Sequence, residues 1–125
     1  MVFQAQFDWD VDFSQVKSDY EDGICRIYSP QFMESPDESA HYWTLCLSFD
    51  PADPVNYSIW VNLDDNPFYK NITMAYNYKV FDSDNQLLCD GSSEAHEFDK
   101  IEGIGEDFLC HEKIKKIIVE LELVR

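Results

Sequence analysis

The sequence predicts an all-β protein, an antiparallel β-sandwich of about eight short strands. Three observations carry this prediction: several runs in which apolar and polar residues alternate, turn residues between the runs, and the absence of a helical period over ten or more residues. A chain of 125 residues can bury one sizeable core but not two. We therefore expect a single domain over residues 1–125, with its core between about 6 and 124.

The first strand is indicated by strict alternation between Phe7 and Phe13, where large apolar residues are separated by aspartates. Successive side chains of a strand point to opposite faces, so Trp9 is predicted to lie in the core. The aspartates would form a solvated face. They have the period of a strand rather than of a calcium-binding loop, and no glycine turns the chain among them.

The centre of the chain, residues 42–63, predicts two strands joined by a turn. Trp43 to Phe49 alternates with an apolar face, and Tyr57 to Leu63 does the same. Between the two runs, Pro51 and Pro54 interrupt the pattern, since proline cannot donate a hydrogen bond to a ladder. We expect Trp43 to be a core residue.

Trp60 breaks the pattern of the second of these strands. It lies in phase with Ser58 and Asn62, on the face opposite to the apolar residues. A strand with one buried face is expected to be polar on its other face. Trp60 is therefore either covered by another segment or exposed for a ligand.

Further runs follow towards the end of the chain. Tyr76 belongs to the alternating run 72–80 and shares its phase with other apolar residues, which makes a core position one interpretation of it. His96 begins a predicted short strand and is either an ordinary half-buried histidine or a contact residue. The segment 103–105 (Gly-Ile-Gly) is predicted to be a flexible connection, and 117–123 to be the last strand.

Charge and cysteine usage restrict the class of partner and compartment. Nine basic and 25 acidic residues give a formal net charge of −16, which disfavours binding to nucleic acids and to anionic membranes and favours basic or neutral proteins and peptides. No apolar stretch approaches a membrane span and no signal peptide is visible, so we expect a cytoplasmic or nuclear protein. The four cysteines have no metal-ligand spacing, and we expect free thiols, no metal and no cofactor.

Nothing in the sequence selects an enzyme. The three histidines have no metal-ligand spacing, and no serine lies in a nucleophile elbow. One function that the residues leave open is a calcium-dependent binding domain, because acidic loops of a sandwich can hold a hard cation. Asp50, Asp53, Asp64 and Asp65 lie near predicted strand ends and would be its ligands.

Taken in order, the predicted strands resemble those of the meprin and TRAF homology (MATH, or TRAF-like) family. Within that family the sequence is most similar to the substrate-recognition domains of speckle-type POZ proteins, although Ile104 and Glu106 stand where those domains have aromatic residues. The resemblance covers nearly the whole chain and rests on residues 7–14, 28–32, 43–47, 57–61, 76–80 and 118–123.

The resemblance implies an eight-stranded sandwich without catalytic activity that binds an extended peptide in an aromatic groove on one sheet. It further implies a monomeric domain that acts as the substrate receptor of a cullin–RING ubiquitin ligase. The positions that match the groove of the family are Trp60, Tyr76, His96, Ile104 and Gly105.

Overall fold

The computed structural model describes residues 2–18, 21–34, 41–65, 72–98 and 100–124. The predicted all-β class is confirmed, and the described residues form ten strands where about eight were expected. The strands are β1 (Val2–Asp10), β2 (Cys25–Tyr28), β3 (Phe32–Met33), β4 (Tyr42–Phe49), β5 (Asn56–Asp65), β6 (Ile72–Phe81), β7 (Leu87–Ser92), β8 (His96–Phe98), β9 (Gly103–Leu109) and β10 (Lys116–Val124).

Two antiparallel sheets of five strands each make up the sandwich. The first sheet has the order β1-β10-β6-β7, and β8 also pairs with β6. In it the first and last strands are neighbours, with Val2 opposite Val124 and Asp10 opposite Lys116. The second sheet has the order β2-β4-β5-β9, and β3 also pairs with β4.

Helical structure in the described segments is limited to one 3₁₀ turn, Phe13–Gln15. The side chain of Asp12 caps this turn by accepting a hydrogen bond from the backbone N–H of Ser14 at 3.0 Å. Among these segments there is no helix with the length and apolar character that crossing a membrane requires.

The core lies between the inner faces of the two sheets. Both tryptophans that were predicted to be buried are in it: Trp9 is 4% exposed and Trp43 is fully buried. The ring of Trp43, from the second sheet, meets the ring of Phe98, from the first, edge-on with centroids 5.7 Å apart. Large aromatic groups that contact across the two sheets stabilise the sandwich beyond their buried area.

The two strands and the turn predicted for residues 42–63 are present as β4, β5 and their connection. Trp43 lies opposite Leu63 and Leu47 opposite Ile59, which places the apolar residues of both strands on the inner face. The turn between the strands is closed by Asp50, whose side chain accepts a hydrogen bond from the backbone N–H of Ala52 at 2.9 Å.

The segment 103–105 is not a flexible connection, as its glycines suggested, but the start of β9. Gly103, Ile104 and Gly105 pair with Asn62, Val61 and Trp60 of β5. Glycine has no side chain to pack, so the sequence pattern of a strand is weak at these positions. Here the segment is held as a strand by its pairing with β5.

A buried carboxylate ties the end of β3 to the start of β4. The side chain of Glu34 is fully buried. It accepts hydrogen bonds from the backbone N–H of His41 at 2.8 Å and from Nε1 of Trp43 at 3.0 Å, and Nδ1 of His41 lies 2.8 Å from its Oε1. Burial alone would raise the pKa of Glu34, but the hydrogen bonds from His41 and Trp43 more than offset this and hold the pKa below its ordinary value.

The core tryptophans give the first testable prediction. Trp9→Ala and Trp43→Ala should each lower the free energy of unfolding by about 3–5 kcal/mol, because each leaves a large cavity between the sheets. Leu87→Ala is the control, since Leu87 is 52% exposed and its truncation should change stability by less than about 0.5 kcal/mol. Urea denaturation of the three variants measures this, and equal midpoints would contradict the assignment of the core.

Glu34 gives a prediction about pH. A group whose pKa is lowered on folding stabilises the protein above its unfolded pKa, about 4.3, and loses this contribution as the pH falls through its folded pKa. Glu34→Gln should therefore cost about 1–3 kcal/mol at neutral pH, where it removes a buried acceptor. The difference from the wild-type protein should narrow below about pH 4.

Urea midpoints of both proteins between neutral and acid pH measure this difference. Glu120→Gln, at an exposed position of β10, is the control and should track the wild-type protein at every pH. A difference between Glu34→Gln and wild type that stays constant down to acid pH would show that the charge of Glu34 is not responsible.

Candidate ligand-binding groove

The outer face of the second sheet carries an open groove of about 660 Å³. The outward-pointing residues of its strands lie side by side in cross-strand rows, as the register requires. One row consists of Tyr28, Cys46, Trp60 and Gly105, and the next of Arg26, Ser48, Ser58 and Asp107.

Trp60, on the polar face of β5, lies in this groove with 37% of its surface exposed. Its Nε1 donates a hydrogen bond to Oγ of Ser48 on β4 at 3.1 Å. On the other side, the indole lies against the backbone of Gly105, where a Cβ atom would be only 2.7 Å from Cδ2 and Cε2 of the ring. The indole is therefore held in one position from both neighbouring strands.

Gly105 lies beside Trp60 on the outer face of the sheet. Glycine is required there because the indole occupies the space that any other side chain would fill. Gly103, two residues earlier, would tolerate a side chain more easily. A Cβ atom there would meet the end of the Asn62 side chain, which is flexible and can move aside.

Between Trp60 and Tyr28 the base of the groove is formed by Cys46, which is 4% exposed. Burial raises the pKa of the Cys46 thiol to about 11, and the positive charge of Arg26 and a hydrogen bond with Tyr28 oppose this only in part. The thiol is therefore uncharged at neutral pH and unreactive as a nucleophile.

Tyr76 does not lie in the groove. It is a core residue with 2% exposure, and its ring comes from β6 of the first sheet. Its hydroxyl lies 3.0 Å from the carbonyl oxygen of Ile59 and 3.1 Å from that of Ile104, the residues that precede Trp60 and Gly105. Burial raises the pKa of Tyr76 well above its ordinary value, so the hydroxyl remains a donor to these carbonyls.

Ile104 and His96 are likewise outside the groove. Ile104 lies opposite Val61, faces the core and packs against it. His96, on β8 of the first sheet, has its Nε2 2.6 Å from Oε1 of Glu102, just before β9, and its ring packs edge-on against Phe98. Of the five residues that the resemblance assigned to a groove, the structure thus brings Trp60 and Gly105 together on the outer face, and Tyr76 and Ile104 meet beneath them.

Sequence reasoning did not assign the other residues of the groove to it, among them Tyr28, Cys46, Ser48 and Asp107. The polar phase of β4, which includes Cys46 and Ser48, lies next to the Trp60 face in the predicted hairpin. This adjacency could have identified both residues. Tyr28 and Asp107 lie on β2 and β9, whose positions in the sheet follow only from the strand order.

The aspartates of the calcium alternative do not form one site. Asp50 and Asp53 lie at the turn before β5, whereas Asp64 and Asp65 lie at the far end of that strand. Three of these side chains have partners in the sheet or its turn: Asp50 accepts from the backbone N–H of Ala52, Asp53 from the amide of Asn56, and Asp64 from Gln31 at 3.2 Å. In the described segments no group of three or more His, Cys, Asp or Glu side chains is arranged to hold a metal ion.

The contact between Trp60 and Gly105 gives a prediction. Gly105→Ala should displace the indole and weaken its hydrogen bond to Ser48, since the new Cβ atom and the ring cannot both keep their places. The indole N–H resonance of Trp60, assigned by its absence in Trp60→Phe, should shift and exchange faster with water. Gly103→Ala is the matched control and should shift this resonance much less, because its Cβ atom would lie at an ordinary contact distance of 3.6 Å from Cε3 of the ring. An unchanged resonance in Gly105→Ala would contradict the described position of the indole.

Neither protein-family models nor curated proteins match this chain. The assignment of a function therefore depends on the geometry of the groove.

Proposed function

We propose that this protein is a non-enzymatic module that captures an extended peptide segment of a partner protein in the groove on its second sheet, with Trp60 as the anchor. The observation that carries the proposal is that Trp60 is partly exposed and yet fixed between Ser48 and Gly105. An aromatic side chain that is already ordered loses little entropy on binding, which is a property of residues that dominate interface energies.

The shape of the groove supports an extended ligand. Its base is a sheet surface rather than a closed cavity, and it extends over β2, β4, β5 and β9. Small residues surround Trp60, with Gly105 on one side and Cys46 on the other. A peptide in β conformation can lie on such a surface with every second side chain directed to the base.

The chemistry of the groove supports binding without catalysis. The Cys46 thiol is protonated at neutral pH because its pKa is raised to about 11. The Ser48 hydroxyl accepts a hydrogen bond from the indole N–H of Trp60 and is not paired with a general base. His41 and His96 are engaged with Glu34 and Glu102, away from the groove.

The resemblance to the MATH family extends this proposal to a substrate receptor of a cullin–RING ubiquitin ligase in the cytoplasm or nucleus. The sandwich architecture agrees with that resemblance in fold class. Membership of the family and the role in ubiquitin transfer are predictions from the sequence alone.

The proposal predicts that Trp60 contributes to binding more than to folding. A displayed library of random short peptides is selected on the immobilised protein, and the affinities of the selected peptides are measured. Trp60→Ala should weaken binding by at least about 2 kcal/mol, as expected for a central aromatic anchor. The free energy of unfolding should change by only about 1 kcal/mol, as for a surface substitution.

Binding kinetics provide the control. The loss in Trp60→Ala should appear in the dissociation rate, whereas added salt should slow the association of basic peptides by screening the net charge of −16. Selected peptides that bind Trp60→Ala with unchanged affinity would show that Trp60 is not the anchor. Unfolding of Trp60→Ala would instead assign Trp60 a structural role.

A further inference from the structure

We propose that the groove selects peptides that carry an arginine or lysine, and that the cationic group of this residue lies between the indole of Trp60 and the carboxylate of Asp107. This inference rests on the proposed function and specifies the chemistry of the ligand.

The charged lining of the groove is acidic and uncompensated. Asp50, Asp53 and Asp107 lie along it, with Arg26 as a cation on the opposite side. Arg26 is already bound to Asp22, outside the groove, with a distance of 2.6 Å between Nη2 and Oδ2. Three carboxylates thus share the groove with one guanidinium, and that guanidinium already has a carboxylate partner outside it.

The three carboxylates accept hydrogen bonds from uncharged donors only. Asp107 is bound by the hydroxyl of Ser58, Asp53 by the amide of Asn56, and Asp50 by the backbone N–H of Ala52. These contacts fix the carboxylates in position but leave their negative charge in place. In the described part of the chain none of them has a lysine or arginine partner, so a cation from a ligand would be the first.

Asp107 has the right position relative to Trp60. Ser58 pairs with Asp107 in the ladder between β5 and β9, and Trp60 pairs with Gly105 in the next outward-facing row. Asp107 and Trp60 are therefore diagonal neighbours, whose Cα atoms in an antiparallel pair are roughly 7–8 Å apart. A cation that contacts an indole lies within about 6 Å of the ring, a distance from which it also reaches this carboxylate.

Ser48 supplies a place for the peptide backbone. It is 7% exposed, and its oxygen accepts the indole N–H of Trp60 at 3.1 Å. No acceptor for its own hydroxyl hydrogen lies within reach in the described segments. A main-chain carbonyl oxygen of a ligand can accept this hydrogen, and the need to satisfy a nearly buried donor favours a peptide over a free cation.

The net charge of the whole protein does not produce this preference. A long-range field attracts any basic peptide and acts mainly on the association rate. A site between an indole and a carboxylate discriminates between a cationic side chain and an uncharged one of the same shape. Citrulline is such an isostere of arginine, which makes the two effects separable.

The test uses pools of acetylated and amidated heptapeptides of random sequence that differ only in the fixed central residue: arginine, lysine, citrulline or leucine. Their affinities are measured by titration against the wild-type protein, Trp60→Ala, Asp107→Asn and Glu120→Gln. Asp107→Asn keeps an acceptor for the Ser58 hydroxyl. Glu120→Gln removes the same charge at an exposed position of the first sheet, and so controls for the overall field.

We expect the wild-type protein to bind the arginine and lysine pools about fivefold or more tightly than the citrulline and leucine pools, the combined effect of a cation–π contact and a partly exposed ion pair. Asp107→Asn should reduce this ratio to about twofold, and Glu120→Gln should leave it unchanged.

Three results would overturn the inference. Equal binding of the arginine and citrulline pools by the wild-type protein excludes the cation subsite, while peptide capture in the groove would stand. Equal loss of the preference in Asp107→Asn and Glu120→Gln assigns it to the overall charge. If no pool binds the wild-type protein more tightly than Trp60→Ala, the proposed function fails together with the cation subsite.

Discussion

The register between β4 and β5 is the constraint on which both the core and the groove depend. It places Trp43 opposite Leu63 and Leu47 opposite Ile59 on the inner face, and thereby sets Cys46 opposite Trp60 on the outer face. Because side chains of a strand alternate strictly, a slip by one residue would move every apolar group of one strand to the solvent and bury its polar face. The same pairing that closes the core thus presents the indole.

The position of the indole is also determined from below. The hydroxyl of Tyr76 crosses from the first sheet to the carbonyls of Ile59 and Ile104, directly before the paired residues Trp60 and Gly105. The pairing of β5 with β9 around Trp60 and Gly105 is therefore contacted by the ring of Tyr76 on the core face and by the indole of Trp60 on the outer face. A change in the packing of Tyr76 in the core would therefore shift the backbone that positions Trp60 in the groove.

Period-two alternation was sufficient to predict β4, β5, β6 and β10, since each of these long strands has one face in the core. For β1 it was right only in part: the alternating run 7–13 continues past the end of the strand at Asp10 into the 3₁₀ turn that begins at Phe13, and the first residues of β1 were not predicted. It failed for β9, where Gly103 and Gly105 interrupt the alternation of apolar and polar side chains. This strand is formed because it pairs with β5. Trp60 could be recognised because it violates the pattern of its strand. For Tyr76 the pattern could not decide between a core and a groove position. A tyrosine in phase with the core residues of its strand gives the same pattern whichever group its hydroxyl contacts. Asp107 and Tyr28 reach the groove through the strand order, which no local pattern encodes.

The pairing of β1 with β10 has a consequence for how the chain folds. The residues of β1 find their partners in β10, more than 100 residues further along the chain, so the first sheet can close only after β10 has been made. Bringing such distant segments together carries a loop-closure entropy that local contacts do not repay in advance. The β4–β5 hairpin, which needs only its own short turn, can form early and serve as the template on which the later strands assemble. Until β10 has been made, β1 has no partner strand, and Asp8 and Asp10 place on its solvent face the kind of charge that disfavours edge-to-edge pairing with other copies of an unpaired strand.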